Sequence, residues 1–270
     1  MDNIIQGNCL EVAQQFKTED INLLVTSPPY AEQRKRQYGG VSELDYPEWT
    51  VKWMEAYRHA LKEDGSIAIV IRPNIRQGQI SDYVLRTRLA VREAGWVEAE
   101  ELIWIKPDSP PLGHTGRPRR AWESILWFSK TGRPFCDPKA NGHVSDRVGF
   151  ESTKGVGDYK QGTCPASKGI ARCRDYVEVG TGAVDKSPNN THPAQYPAKL
   201  ATWIIKLLCP PNGLIVDPFV GSGSTLVACE ELNQSENMGL KYHGIDISEE
   251  YCKISNSRLN EAKSNRHKAF

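Results

Sequence analysis

The feature that most constrains this chain is INLLVTSPPYAEQ, Ile21 to Gln33, an apolar run cut short by two prolines and an aromatic ring. The run reads as a buried strand ending near Thr26. Two consecutive prolines cannot donate to a sheet ladder, so the sheet must release the chain at Pro28. What remains is a stiff elbow with free carbonyls, the Ser27 hydroxyl before it and the Tyr30 ring after it. That shape suits a grip on a flat polar ring.

The elements around the elbow alternate. DYPEWTVKWMEAYRHALKEDG carries apolar residues at helical spacing, with a proline near its start and Gly65 at its end. Ser66–Arg72 predicts a strand, Ser81–Ala94 a helix closed by Gly95, and 97–106 and 121–130 two further strands. From about Thr131 to Asn190 apolar periodicity nearly vanishes, and loops of that length are functional or disordered. Order returns with a helix in YPAKLATWIIKLLCP, a strand in GLIVD, a helix over Ser224–Leu232, a strand in KYHGIDI and a closing helix over Glu249–Lys263. Alternating units at both ends predict an α/β fold, doubly wound, with one mostly parallel sheet and helices on both faces.

The chain has 270 residues, 39% of them apolar and 25% charged, as in ordinary globular proteins. No apolar run approaches the ~20 residues of a membrane helix. The N-terminus has neither a basic region nor a signal-like core, so a cytoplasmic protein without a membrane partner is expected. Seven cysteines without a C-x-x-C pair fit no zinc spacing, and free thiols are the expectation, with no metal. Net charge is only +1, but residues 106–200 hold 15 Lys and Arg against 9 Asp and Glu. That basic middle is a candidate phosphate-binding footprint, though a solvated basic loop explains the charge almost as well.

A second loop matters as much as the elbow. The strand GLIVD runs into PFVGSGSTLVA, and a glycine-rich turn between strand and helix lets backbone approach a ligand closely. One unit later HGIDI places Asp246 at a strand end, where a carboxylate can accept from ribose hydroxyls. The pattern points to a nucleoside cofactor. Leu226 stands where the dinucleotide fingerprint wants a third small residue, which leaves NAD as the lesser alternative.

TSPPY at a strand end, with DPFVGSGST downstream, resembles the amino-group DNA methyltransferases that use S-adenosylmethionine. The motif order resembles their circularly permuted beta class, which implies a seven-stranded methyltransferase-type sheet with an inserted, loop-rich target-recognition region. The resemblance divides the chain into a catalytic half (1–130), that insertion (131–190) and a cofactor-binding half (191–270). HPAQYP is similar to the segment that lines the methionine end of the cofactor, which brings in His192, Gln195, Tyr196 and Pro197. GNCLEV is similar to the stretch near the adenine, with Asn8 where the family commonly has Asp, and Cys9 beside it. RAWESILWFSK resembles the strand before the recognition region, with Glu123 in the usual acidic place.

On this reading Ser27 and the Pro28 carbonyl accept the hydrogens of an exocyclic amine, which raises electron density on nitrogen as charge develops there. Pro28 and Pro29 hold the elbow in advance, and Tyr30 stacks on a base flipped out of the duplex. No metal or covalent intermediate is required. Phe219 packs on the cofactor and faces its sulfonium. Gly221, Ser222, Gly223, Ser224 and Thr225 admit the methionine portion, Asp217 takes its ammonium, and Asp246 holds the ribose. A serine at the first motif position goes mostly with N4-cytosine and an aspartate with N6-adenine, so Ser27 points to cytosine. A hydroxyl both donates and accepts, whereas a carboxylate only accepts. The partner is then double-stranded DNA. Candidate contacts are Arg34 and Arg36 after the elbow, Arg117, Arg119 and Arg120 before the last N-terminal strand, and Arg147, Lys154, Arg172 and Arg174 in the insertion. A homodimer and a cognate restriction endonuclease are further possible partners. N6-adenine methylation, RNA methylation and DNA binding without catalysis stay open as alternatives.

Overall fold

The computed structural model describes residues 3–32, 40–109, 116–147, 150–151, 163–164, 167–181 and 196–264. In chain order the elements are β1 (Ile4–Gln6), α1 (Cys9–Val12), β2 (Ile21–Thr26), α2 (Tyr46–Tyr57), β3 (Leu61–Ile71), β4 (Ile75–Arg76), β5 (Gln79–Ile80), α3 (Tyr83–Glu93), β6 (Val97–Ile105) and β7 (Trp122–Ser129). Then come β8 (His143–Arg147), β9 (Phe150–Glu151), β10 (Thr163–Cys164), β11 (Ser167–Ala171), β12 (Tyr176–Glu178), α4 (Ala198–Leu208), β13 (Leu214–Asp217), α5 (Ser224–Ser235), β14 (Lys241–Asp246) and α6 (Glu249–Ser264).

Eight strands form one sheet in the order β1-β14-β13-β2-β3-β7-β6-β12. Only β7 runs antiparallel to its neighbours, so the sheet is mostly parallel as expected, with eight strands rather than seven. Successive residues of β2 and β3 alternate between two apolar layers. Leu23, Val25, Ala68 and Val70 meet α4, α5 and α6 on one face. Leu24, Ile67, Ile69 and Ile71 meet α2 and α3 on the other. Both faces are covered, which is why these strands read as continuous apolar runs.

Two boundaries depart from the periodicity. The expected helix through Gly65 stops at Tyr57, and β3 begins at Leu61 rather than Ser66. The carbonyls of His59 and Ala60 accept from the N–H groups of Glu19, Asp20 and Ile21, which draws the chain off the helix and into the sheet. Leu61 then pairs with Ile21, and the register shifts before Leu23 meets Ser66, so Gly65 belongs to a bulge and ends no helix. The segment expected to be loop-rich contains two antiparallel ribbons, β8 with β11 and β9 with β10. It also contributes β12, which adds to the main sheet beside β6. No described helix is long and apolar enough to cross a membrane.

Candidate functional site

β2 leaves the sheet after Thr26, and Pro28 is buried while Ser27, Pro29 and Tyr30 are half-buried. The elbow is tied to the rest of the protein by the Tyr30 hydroxyl, which donates to Glu123 Oε2 at 2.5 Å. Burial, and then the neighbouring Glu123 charge, hold the Tyr30 phenol well above its ordinary range, so it remains a donor. Glu123 sits near the start of β7, cross-strand from Trp104. Its other oxygen takes the Lys106 ammonium, which also lies 4.0 Å over the Trp104 ring. Arg72, one residue past β3, brings Nε to 3.6 Å from Glu123 Oε1. Burial lowers the Lys106 pKa, opposed by Glu123. The carboxylate is therefore fully engaged among Tyr30, Lys106 and Arg72.

The glycine-rich turn follows β13, the strand next to β2. Gly221 and Gly223 both take positive φ, +51° and +83°. A Cβ at Gly223 would stand 3.1 Å from Ser255 Cβ and Oγ. Ser255 and Arg258, one turn apart on α6, brace this turn from behind. The Ser255 hydroxyl donates to the Gly221 carbonyl at 2.6 Å, and Arg258 Nη1 donates to the Ser222 carbonyl at 2.6 Å and its hydroxyl at 3.0 Å. Neither residue was singled out from sequence, where they read only as polar positions of an amphipathic helix.

Asp246 ends β14, and its carboxylate accepts from Gly221 N at 3.0 Å and Ser248 N at 2.8 Å. Desolvation raises its pKa. The carboxylate thus keeps acceptor capacity for another donor. Asp217 is 1% exposed, and burial pushes its carboxyl up to about 6. It accepts from Phe219 N at 3.1 Å, Thr225 Oγ1 at 2.5 Å and Tyr196 Oη at 3.3 Å, so it acts as an internal tie. Phe219 is half-buried and touches Trp49 and Trp53, with ring centroids 5.3 and 5.6 Å away.

Both loops open into one cleft of about 480 Å³. Of the residues singled out from sequence, Asn8, Cys9, Ser27, Pro28, Pro29, Tyr30, Tyr196, Phe219, Gly221, Ser222, Ser224 and Asp246 line it. Asp217, Gly223, Thr225 and Pro197 do not; they stand behind its wall or, for Pro197, cap the start of α4. The Asn8 amide oxygen already accepts from Leu10 N at 3.1 Å as the cap of α1. Burial pushes the Cys9 thiol up to about 12. Arg72, Trp104 and Lys106 line the same cleft and went unremarked in the sequence, because they sit at the ends of runs that read as core strands.

The basic candidates are dispersed. Arg120 turns inward, donating to the Pro73 carbonyl at 2.5 Å, and Arg119 donates to the Ser109 carbonyl at 3.3 Å. Arg117 is exposed and bonded to the Gly78 carbonyl. Arg172 and Arg174 are exposed, the latter 5.5 Å over the Tyr176 ring. Arg34, Arg36, Lys154, His192 and Gln195, and the side chain of Arg147, lie outside the described residues.

Three comparisons bear on this geometry. The family model described as DNA methylase (N6_N4_Mtase) matches residues 21–257. The type II methyltransferase M.PvuII of Proteus hauseri is 27% identical over 281 residues, covering 94% of this chain and 82% of its own. The solved structure of PvuII DNA methyltransferase (cytosine-N4-specific) superposes with a TM-score of 0.71 at 23% identity, covering 98% of this chain and 91% of that one. The complex of M1.HpyAVI with SAM superposes with a TM-score of 0.61 at 19% identity, covering 96% of this chain and all of that one. The sheet thus has a methyltransferase-like α/β architecture. With a family match that takes in both loops of the cleft, this chain belongs to the N6/N4 DNA methylases.

Proposed function

We propose that the protein transfers a methyl group from S-adenosylmethionine to the exocyclic N4 amine of a cytosine flipped out of duplex DNA. The observation that carries this reading is that the Ser27–Tyr30 elbow and the Phe219–Ser224 turn open into one cleft from neighbouring strand ends. The names of the PvuII relative and its solved structure support the reaction class and the choice of base.

The residues present fit the cofactor. The cleft is of small-molecule size, and Gly221, Ser222 and Ser224 of its glycine-rich turn line it. The lone pairs that Asp246 retains match ribose hydroxyls, and Phe219, Tyr196 and the Gly221–Ser224 backbone would enclose the remainder. When bound, S-adenosylmethionine supplies an electrophilic methyl group on a sulfonium. The chain's own part is to orient the acceptor: Ser27 Oγ and the Pro28 carbonyl receive the amine hydrogens, the prolines hold that geometry beforehand, and the Tyr30–Glu123 bond fixes the ring against which the base lies. Roles on the basic side are assigned in the same spirit. Residues 131–190 read the target, and the exposed Arg117, Arg172 and Arg174 meet DNA phosphates or base edges. A cytoplasmic protein that pairs with a second copy, and serves beside a cognate restriction endonuclease, completes the proposal.

Incubating the protein with unmethylated DNA and S-adenosylmethionine, digesting to nucleosides and weighing the products tests it. N4-methylcytosine is expected. N6-methyladenine would overturn the choice of base, and no methylated nucleoside on varied DNA would overturn the activity.

A further inference from the structure

Glu123 is saturated. One oxygen accepts from Tyr30 at 2.5 Å, the other faces Lys106 and the Arg72 Nε 3.6 Å away. Lys106 is itself buried, held between that carboxylate and the Trp104 ring. Arg72 differs from both. Its side chain is 32% exposed, it lines the cleft, and its two terminal nitrogens have no hydrogen-bond partner among the described residues. An arginine fork that is anchored at one end and unsatisfied at the other is a recognition element aimed at acceptors.

Its place says which acceptors. β2 and β3 are hydrogen-bonded neighbours, so Arg72, the residue after β3, stands beside the elbow that begins with Ser27, the residue after β2. Cytosine presents donor, acceptor, acceptor along its edge, from N4 through N3 to O2. Adenine presents donor, acceptor and then a carbon-bound hydrogen. With the amine held at Ser27, a fork beside it meets N3 and O2 of cytosine but only N1 of adenine.

We propose that Arg72 is a specificity-determining residue whose guanidinium donates to N3 and O2 of the target cytosine, with the Lys106–Glu123 pair as its anchor. The proposal rests on the N4-cytosine reading above. It places base selection in two residues at adjacent strand ends, the neutral Ser27 for the amine and the cationic Arg72 for the ring edge.

The test first maps the methylated position in plasmid DNA incubated with the wild-type protein and S-adenosylmethionine. Duplex oligonucleotides then carry that site with cytosine or with 2-thiocytosine, whose sulfur accepts hydrogen bonds weakly. Wild type, Arg72→Ala and Arg72→Lys are compared, with thermal melts confirming that each folds. Arg72→Ala is expected to lower kcat/KM on cytosine by about 10- to 100-fold, the scale of a lost charge-assisted bond. Lysine restores only part, because it lacks the fork. The thio substitution slows wild type by about tenfold and leaves Arg72→Ala within about threefold, so the two losses do not add. Additive losses would overturn the proposal while leaving the cytosine reading intact. So would an Arg72→Ala defect that appears as weaker DNA binding with a shallower salt dependence, the mark of a phosphate contact. A mapped adenine overturns the cytosine reading itself, and the proposal with it.

Discussion

Gly223→Ala separates backbone strain from crowding, because the fold supplies a matched control. Gly223 has φ +83° and Gly95, two residues past the end of α3, has φ +86°. An alanine in that region costs about 1–2 kcal/mol at either position. The surroundings differ. At Gly95 a new Cβ meets nothing within 4 Å, whereas at Gly223 it lies 3.1 Å from Ser255 Cβ and Oγ and 3.2 Å from Ser255 Cα. Ser255 cannot swing aside cheaply, since it is fully buried and its hydroxyl is held by the Gly221 carbonyl. Overpacking of this kind adds about 1–3 kcal/mol. Gly223→Ala is therefore expected to cost about 2–5 kcal/mol and Gly95→Ala about 1–2 kcal/mol. Urea denaturation of the two variants and wild type reads these values from the midpoint shift at constant slope. Calorimetric titration with S-adenosylmethionine should then find Gly95→Ala unchanged and Gly223→Ala weakened, because relief of the clash displaces the turn that forms the cleft wall. Equal costs for the two variants, or wild-type cofactor affinity in Gly223→Ala, would refute the claim that close packing on α6 shapes this turn.

Ser27→Ala should lower kcat by about a hundredfold, the scale of one missing hydrogen-bonding group at the reacting atom, while the Kd for S-adenosylmethionine stays within about threefold. Asp246→Ala should do the reverse, raising that Kd about tenfold or more; equal losses of affinity in both variants would dissolve the division into two loops. Arg258→Met removes the donor that bonds the Ser222 carbonyl and hydroxyl, and is expected to weaken cofactor binding with little change in the DNA Kd. Asp217 makes a pH prediction: burial raises its folded-state carboxyl from 3.8 to about 6, so the folded protein holds that proton more tightly. Its contribution is most favourable below pH 3.8 and is lost as pH rises through 6, a change of up to about 3 kcal/mol. Asp217→Asn lacks the titration, so the unfolding free energy of wild type relative to the variant should rise as pH falls from 7 to 4, and a flat difference would exclude the effect.

The parts legible in the sequence are those where local chemistry and the fold agree. TSPPY had to leave the sheet because proline lacks a donor, and β2 ends at Thr26. Gly95 had to close a helix, and it takes the positive φ that a helix end favours. Asp246 was expected at a strand end and stands there. What stayed hidden was set by partners far away in the chain. Helical spacing through Ala60 loses to backbone bonds from Glu19, Asp20 and Ile21, which no local window contains. Asp217 carried the right residue type for an ammonium contact, but Phe219 N, Thr225 and, from 21 residues upstream, Tyr196 all donate to it, and only folding brings the last of these there. Arg72 and Lys106 looked like the polar ends of core strands. Their role depends on Glu123, which the chain reaches only after folding back through the antiparallel β7.

The strand order explains why one cleft serves both halves of the reaction. Along the edge from β14 through β13 and β2 to β3, successive strand ends present Asp246, the glycine turn, the Ser27 elbow and Arg72. Neighbouring strands are ~5 Å apart, so these four stations span ~15 Å, comparable to a nucleoside-linked sulfonium laid end to end with a base. On the proposed function, the order in space is the order the chemistry would need: ribose anchor, methyl donor, acceptor amine, ring edge. Sequence order is different, with β2 and β3 in the first third of the chain and β13 and β14 in the last. A parallel sheet removes that difference, because every parallel strand delivers its C-terminal end to the same edge. The Asn22 side chain ties the two regions directly, accepting from Leu214 N at 3.0 Å across 192 residues. On the proposed function, the spacing between donor and acceptor is thus set by a backbone ladder rather than by flexible loops, which is how Ser27 and the two prolines would hold a weakly nucleophilic amine in line.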